Sequence, residues 1–293
     1  MAQLVQAKAR PPIRNTPEFR EYIILQLRTA PWWLYAIIVI AIITAITVIT
    51  NVPFQEAFIF IKAGLGVTIT TTLIAFVFAL ALGLLTGLGR ISNNIFFKNL
   101  STLYVELIRG IPMLVLIFFI ALVGVPAVVN GLNALGEWFT QIGITGAGAW
   151  LSGMENNLPM NTRAVIALSI TYGAFLAEIF RAGIQSINRG QMEAARSQGM
   201  SYWQAMRYII LPQAIRNVLP ALGNDFISML KDSSLVSVLA VRDITQIAKL
   251  YAGRTFQYQQ AYITLAVLYL TMTVLLSFLM KYIEKRIEKN EQR

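Results

Sequence analysis

Long charge-free runs decide what this chain can fold into. No charged residue lies between Arg28 and Glu56, between Lys62 and Arg90, from Gly110 to Gly136, or between Arg254 and Lys281. About 20 apolar residues in a helix satisfy their own backbone hydrogen bonds and cross the hydrocarbon of a bilayer. We read Leu34 to Thr50 as a first, short crossing and the run between Lys62 and Arg90 as a second. Ile111 to Val129, Thr162 to Ile179, Val218 to Ala240 and Gln260 to Met280 follow. The expectation is an all-α integral membrane protein of about six transmembrane helices. Composition agrees: 13% of residues are charged, against roughly 25% in soluble domains.

The net charge of +10 has to be placed. No basic stretch interleaves with aromatic residues as single-stranded nucleic acid requires, so nucleic acid is not an expected partner. Lysines and arginines held in cytoplasmic loops account for the charge instead. With the N-terminus inside, Lys8, Arg10, Arg14, Arg20, Arg28, Arg90, Lys98, Arg109, Arg181, Arg189, Arg196, Arg207 and the lysines of the tail face the cytoplasm. The outside keeps Lys62, Arg163, Arg242, Lys249 and Arg254. Six crossings then put both termini in the cytoplasm.

The sequence has no cysteine and no histidine. That removes disulfides, thiolate nucleophiles, zinc sites of the usual N/S kind and an imidazole base. Neither G-x-x-x-x-G-K-[ST] nor G-x-S-x-G occurs, so no phosphate-binding loop or nucleophile elbow is present. We expect no catalytic residue, no metal ligand and no bound cofactor; any ATP and Mg belong to a partner ATPase.

Met1 to Pro31 is a polar, basic tail followed by Trp32, Trp33 and Tyr35 at the level of an aromatic belt, which reads as a signal anchor. Gly83 and Gly87 have the spacing that lets membrane helices pack closely. Asn93 to Leu100 is amphipathic. Asn130 to Asn161 is glycine-rich and weakly acidic, and reads as an external loop. Glu178 and Arg181 stand three apart on one helical face, read as a structural pair. The tail KYIEKRIEKNEQR alternates in sign, as a solvated helical extension does.

Between two membrane runs lies QMEAARSQGMSYWQAMRYIILP, Gln191 to Pro212. Glu193, Ala194, Ala195 and Arg196 suit a short helix, and Gly199 stops it. Ser201 and Gln204 form a capping-box pattern that starts a second helix. Pro212 is expected to end that helix near Leu211. Ala194 and Ala195 form a small-residue face open to close approach by another protein.

This stretch resembles the EAA motif of permease subunits of bacterial ABC importers. It matches at Glu193, Ala194, Ala195, Gly199, Ile209, Leu211 and Pro212. Arg109 to Val115, Ala177 to Ile187 and Leu230 to Val238 are similar to segments of the polar amino acid permeases. The resemblance covers roughly Phe58 to Ile287. It implies a five-helix type I permease core over residues 58–287 with coupling helices near 191–211. Residues 1–57 would be a cytoplasmic tail and accessory helix, and 288–293 a C-terminal tail. It further implies two ABC ATPase subunits, a second permease copy or paralogue, an extracytoplasmic solute-binding protein and a polar amino acid as cargo. Glu193 to Ala195, Gly199, Ser201, Ile209, Leu211 and Pro212 would couple to the ATPase.

The fifth crossing carries a polar stripe. Asn224, Asp225, Ser228, Lys231 and Asp232 share one broad helical face, and Lys231 and Asp232 are expected near mid-membrane. Charges there cost a few kcal/mol each and face the protein interior or a water-filled path. Two readings stand: a route for a zwitterion, or a structural ion pair. A secondary transporter driven by an ion gradient is the alternative function; it predicts inverted repeats, and no convincing repeat joins the two halves.

Overall fold

The computed structural model describes residues 32–153 and 158–291, and they form helices without a strand. The N-terminal tail and Glu155 lie outside the described residues. The chain divides after Val52. In the first unit, α1 spans Trp32–Thr50. Thr44, Thr47 and Thr50 each turn their hydroxyl onto the carbonyl four residues earlier, at 2.8 Å. This satisfies the polar groups locally and leaves an apolar exterior.

The second unit takes in α2 (Val52–Ile61) from Pro53 onward, and α2 runs through a 3₁₀ turn at Lys62–Gly64 into α3 (Leu65–Ile91). Then come α4 (Ile95–Gly110), α5 (Met113–Phe119), α6 (Val125–Gln141), α7 (Thr145–Ser152) and α8 (Met160–Gln185). The stretch after α8 gives α9 (Arg189–Ser197) and α10 (Tyr202–Ala205); α11 (Leu211–Asp232), α12 (Ile244–Thr255) and α13 (Tyr258–Glu291) complete it. Among the described residues four runs are long and apolar enough to cross a membrane: Val52–Ile91, Met113–Gln141, Met160–Gln185 and Tyr258–Glu284.

The unit is built around α8, the most buried of these runs. Its small residues let α3 close in. A Cβ on Gly83 would sit 2.7 Å from Leu176 Cβ, and one on Gly87 2.9 Å from the carbonyl of Ala177. Gly83-x-x-x-Gly87 is therefore a packing motif. Ala75, Ala79, Leu168, Tyr172 and Leu176 fill the seam. Two of its polar groups are matched, Ser169 Oγ donating to Val165 O at 2.6 Å and Thr71 Oγ1 to Asn161 Oδ1 at 2.7 Å.

Three expectations are corrected. Asn130 to Asn161 is not chiefly loop: α6 continues to Gln141 and α7 folds back on it. The glycines that suggested a loop are the contact points, since a Cβ on Gly136 would meet Ser152 N at 2.4 Å and one on Gly148 would meet Gly136 O at 2.8 Å. Pro212 does not end a helix. A π-turn over Met206–Ile210 precedes it, with Leu211 N–H donating to Met206 O, and the chain passes into α11. The same device precedes Pro126, where a π-turn over Ile120–Gly124 is closed by Val125 N–H donating to Ile120 O. The wider turn gives the proline ring room but strands one carbonyl, because proline has no N–H. At the first site that carbonyl is Ala121 O, and buried Arg163 reaches it through Nη1 at 3.4 Å. Third, the fifth helix starts at Leu211 rather than Val218 and ends at Asp232, followed by a 3₁₀ segment, Ser233–Leu239. Lys231 and Asp232 therefore occupy the last turn of a helix, not its middle.

Candidate functional site

The helix–elbow–helix between α8 and α11 is locally over-determined. Asn188 caps α9, its Oδ1 accepting from Gly190 N–H at 2.8 Å. At the other end Gly199 takes φ +86°. Its N–H donates to Arg196 O at 3.0 Å, and Met200 N–H donates to Ala195 O at 3.2 Å. That pair of bonds is a Schellman motif, which needs the left-handed residue that glycine supplies without strain. Two residues on, Ser201 Oγ accepts from Gln204 N–H at 3.2 Å, while Ser201 N–H donates to Gln204 Oε1 at 2.8 Å. The reciprocal box fixes where the second helix begins.

The elbow sits on the ends of two membrane runs. Ile184, Met206, Ile210 and Ala214 form its buried floor, with Leu88, Ile91, Met192 and Ile209 packed against them. One expectation is corrected by this docking: Ala195 is 3% exposed, turned into the protein. The outward face instead carries Glu193, Ala194 and Arg196. Ser201 and Pro212 are exposed, Ile209 and Leu211 half-buried. The sequence reading passed over the aromatic side chains of this face. Trp203 is 73% exposed and Tyr208 65%, with Tyr202 edge-on to Trp203 at 5.7 Å and Arg207 over Tyr208 at 5.8 Å. Exposed Trp, Tyr and Arg are the residue types that dominate protein interfaces. Their signal was available: aromatic residues in a short polar-flanked helix have no core of their own to fill.

Beside the elbow, ion pairs tie three helices together. Arg90 of α3 meets Glu178 of α8 at 2.7 Å and Glu106 of α4 at 3.4 Å, and Arg181 also pairs with Glu178. Asn217 Nδ2 donates to Ser186 Oγ at 3.1 Å, linking the end of α8 to α11.

The polar face of α11 is present, with Asn224 and Lys231 exposed and Asp225, Ser228 and Asp232 half-buried. Among the described residues no ion pair engages Lys231 or Asp232. Asp232 Oδ2 instead accepts from Tyr172 OH of α8 at 2.6 Å. Tyr172, unnoticed in the sequence, holds one member of the stripe. Asn224, Asp225, Ser228 and Lys231 share no hydrogen bond within the described residues. No group of histidine, cysteine or carboxylate side chains able to hold a metal occurs among the described residues.

Comparison with known proteins agrees with this geometry. The family described as binding-protein-dependent transport system inner membrane component matches residues 79–289. A probable glutamine ABC transporter permease protein of Bacillus subtilis is 41% identical over 223 residues, 75% of this chain and 91% of that protein. The glutamine transport system permease protein of Escherichia coli strain K12 is 30% identical over 225 residues, 77% of this chain and 91% of that one. Among solved structures, an amino acid ABC transporter crystallised with histidines superposes with a TM-score of 0.63 at 38% identity, covering 81% of this chain and 97% of the other. An inward-facing methionine ABC transporter shares the fold at 17% identity and a TM-score of 0.59.

Proposed function

Because the chain belongs to the family of binding-protein-dependent transport system inner membrane components and is a permease of the ABC importer type, we propose that α9 and α10 are its coupling helices and that a polar amino acid is its cargo. The observation that carries the reading is the rigid elbow, whose apolar side is seated on α3 and α8 and whose exposed side presents Glu193, Tyr202, Trp203 and Tyr208. Such a patch fits the groove of an ATPase subunit. Closure of two ATPases on Mg-ATP then rocks a pair of permeases between inward- and outward-facing states. The second permease is a copy or a paralogue, and a solute-binding protein delivers cargo from outside.

The distribution of lysine and arginine supports cytoplasmic termini and an inner-membrane setting. On this topology α1 and α11 join the four apolar runs as crossings, and residues 1–51 form a module accessory to the core, since Ala57 of α2 is buried against α12. The stripe on α11 supports a zwitterion route, since among the described residues Asn224, Asp225, Ser228 and Lys231 make no hydrogen bond or ion pair and Asp232 is held only by Tyr172. Two similar permeases are named for glutamine, which makes glutamine the first cargo to test. In proteoliposomes holding this chain with its ATPase and binding protein, glutamine uptake should require ATP and persist without an ion gradient. Uptake that follows an imposed gradient without ATP would replace this reading with a secondary transporter.

A further inference from the structure

A second surface site lies away from the elbow, in a cavity of about 550 Å³ between α2 and α12. The two helices are held together at both ends. The backbone of Asp243, the N-cap of α12, lies against Gly64, where an added Cβ would meet Asp243 C at 2.6 Å. At the other end Tyr251 OH, which donates to Gln257 Oε1 at 2.8 Å, lies 3.4 Å from Pro53 O. Between them one wall is apolar, with Ile59 55%, Phe60 38% and Leu250 37% exposed. Ile59 and Phe60 lie on the flank of the run Val52–Ile91, which is apolar enough to cross a membrane, and Leu250 faces them from α12.

The rim is charged. Arg242, just before α12, and Arg254, in its last turn, both line the cavity, with Glu56 the one carboxylate beside them. Among the described residues no ion pair or hydrogen bond engages either guanidinium or Glu56. Nearby Lys249 is not part of the rim; its ammonium donates to Ser237 Oγ at 2.9 Å. Two exposed guanidiniums thus stand unneutralised beside an apolar groove on the side of a membrane helix. Arginine presents a planar fork that matches phosphate oxygens.

We propose that this cavity binds an anionic phospholipid, its headgroup lying within the rim that carries Arg242 and Arg254 and an acyl chain laid along Ile59, Phe60 and Leu250. Both halves of the site are needed for that occupant. A free anion has no use for the apolar wall, and a neutral lipid gains nothing from two cations. With two guanidiniums against one carboxylate the rim keeps a positive charge, which selects an anionic headgroup over a zwitterionic one.

The test uses the full-length protein, delipidated in detergent and titrated with phosphatidylglycerol or phosphatidylcholine under native mass spectrometry. Wild type should prefer phosphatidylglycerol, and each arginine replaced by glutamine should weaken that preference roughly fivefold, as expected for one cation at a lipid headgroup. Arg242→Gln with Arg254→Gln should abolish it while the melting temperature is unchanged. Lys98→Gln, on exposed α4, controls for general attraction and should behave as wild type. Inorganic phosphate should not compete. Equal retention of both lipids by wild type, an unchanged preference in the double variant, the same loss in Lys98→Gln, or competition by phosphate would each overturn the proposal. If the double variant melts early, Ile59→Ser decides: it leaves both arginines in place and should weaken binding of long-chain phosphatidylglycerol more than of its short-chain form.

Discussion

Gly199 holds φ +86° with open space where a Cβ would stand, so what the position demands is conformation rather than room. A β-branched residue there carries strain of about 1–3 kcal/mol, and asparagine, which visits the left-handed region readily, much less. Gly199→Val should cut substrate-stimulated ATP hydrolysis of the reconstituted complex several-fold, and Gly199→Asn should retain most of it. Equal activities for the two variants would take the elbow out of coupling. Asp232 is held by Tyr172 rather than by Lys231, which changes what neutralising it should do. Asp232→Asn leaves no newly unpaired buried ammonium, so abundance in the membrane should be near wild type. With Lys231→Met added, uptake of acidic, neutral and basic amino acids, normalised to protein, should shift in profile. An unchanged profile in a well-made double variant would remove both residues from the route. Tyr172 itself was invisible beforehand, because nothing in a linear pattern pairs residues 60 apart across two helices.

The elements legible in the sequence were those whose signal is local. Charge-free runs marked the spans, the S-x-x-Q pattern marked the start of α10, and Gly199 marked the end of α9. The misplaced boundaries came from residues whose effect depends on a neighbour. Pro126 and Pro212 ordinarily break helices, yet a π-turn just ahead of each lets the helix continue. Gly136 and Gly148 ordinarily mark loops, yet here each makes room for the other helix of a hairpin. Gly83 shows the same logic where the pattern was read correctly. Because its Cβ would overlap Leu176 Cβ at 2.7 Å, Gly83→Val forces α3 and α8 apart and should destabilise the protein by about 1–3 kcal/mol, seen as a lower melting temperature in detergent. Gly66, with nothing within 4 Å of an added Cβ, should tolerate alanine. A Gly83→Val protein as stable as Gly66→Ala would contradict close packing of the two helices.

At the scale of the whole molecule, a helical core organised on α8 carries the elbow of α9 and α10 on the ends of α3 and α8. The N-terminal module through Asn51 lies outside the matched family region, which begins at residue 79, so its removal should leave transport near normal in protein that inserts; loss of transport at normal abundance would make it part of the mechanism. The central claim is that the outward face of α9 and α10 is where the ATPase docks. The sequence contains no cysteine, so Trp203→Cys gives a single thiol on that face, and Trp138→Cys a single thiol on the α6–α7 hairpin. The deciding measurement is the rate of maleimide labelling of each thiol in membranes, with and without the ATPase subunit. Labelling at position 203 should slow strongly when the ATPase is present and labelling at 138 should not change; unchanged labelling at 203 in an assembled, ATP-hydrolysing complex would rule out docking on this face.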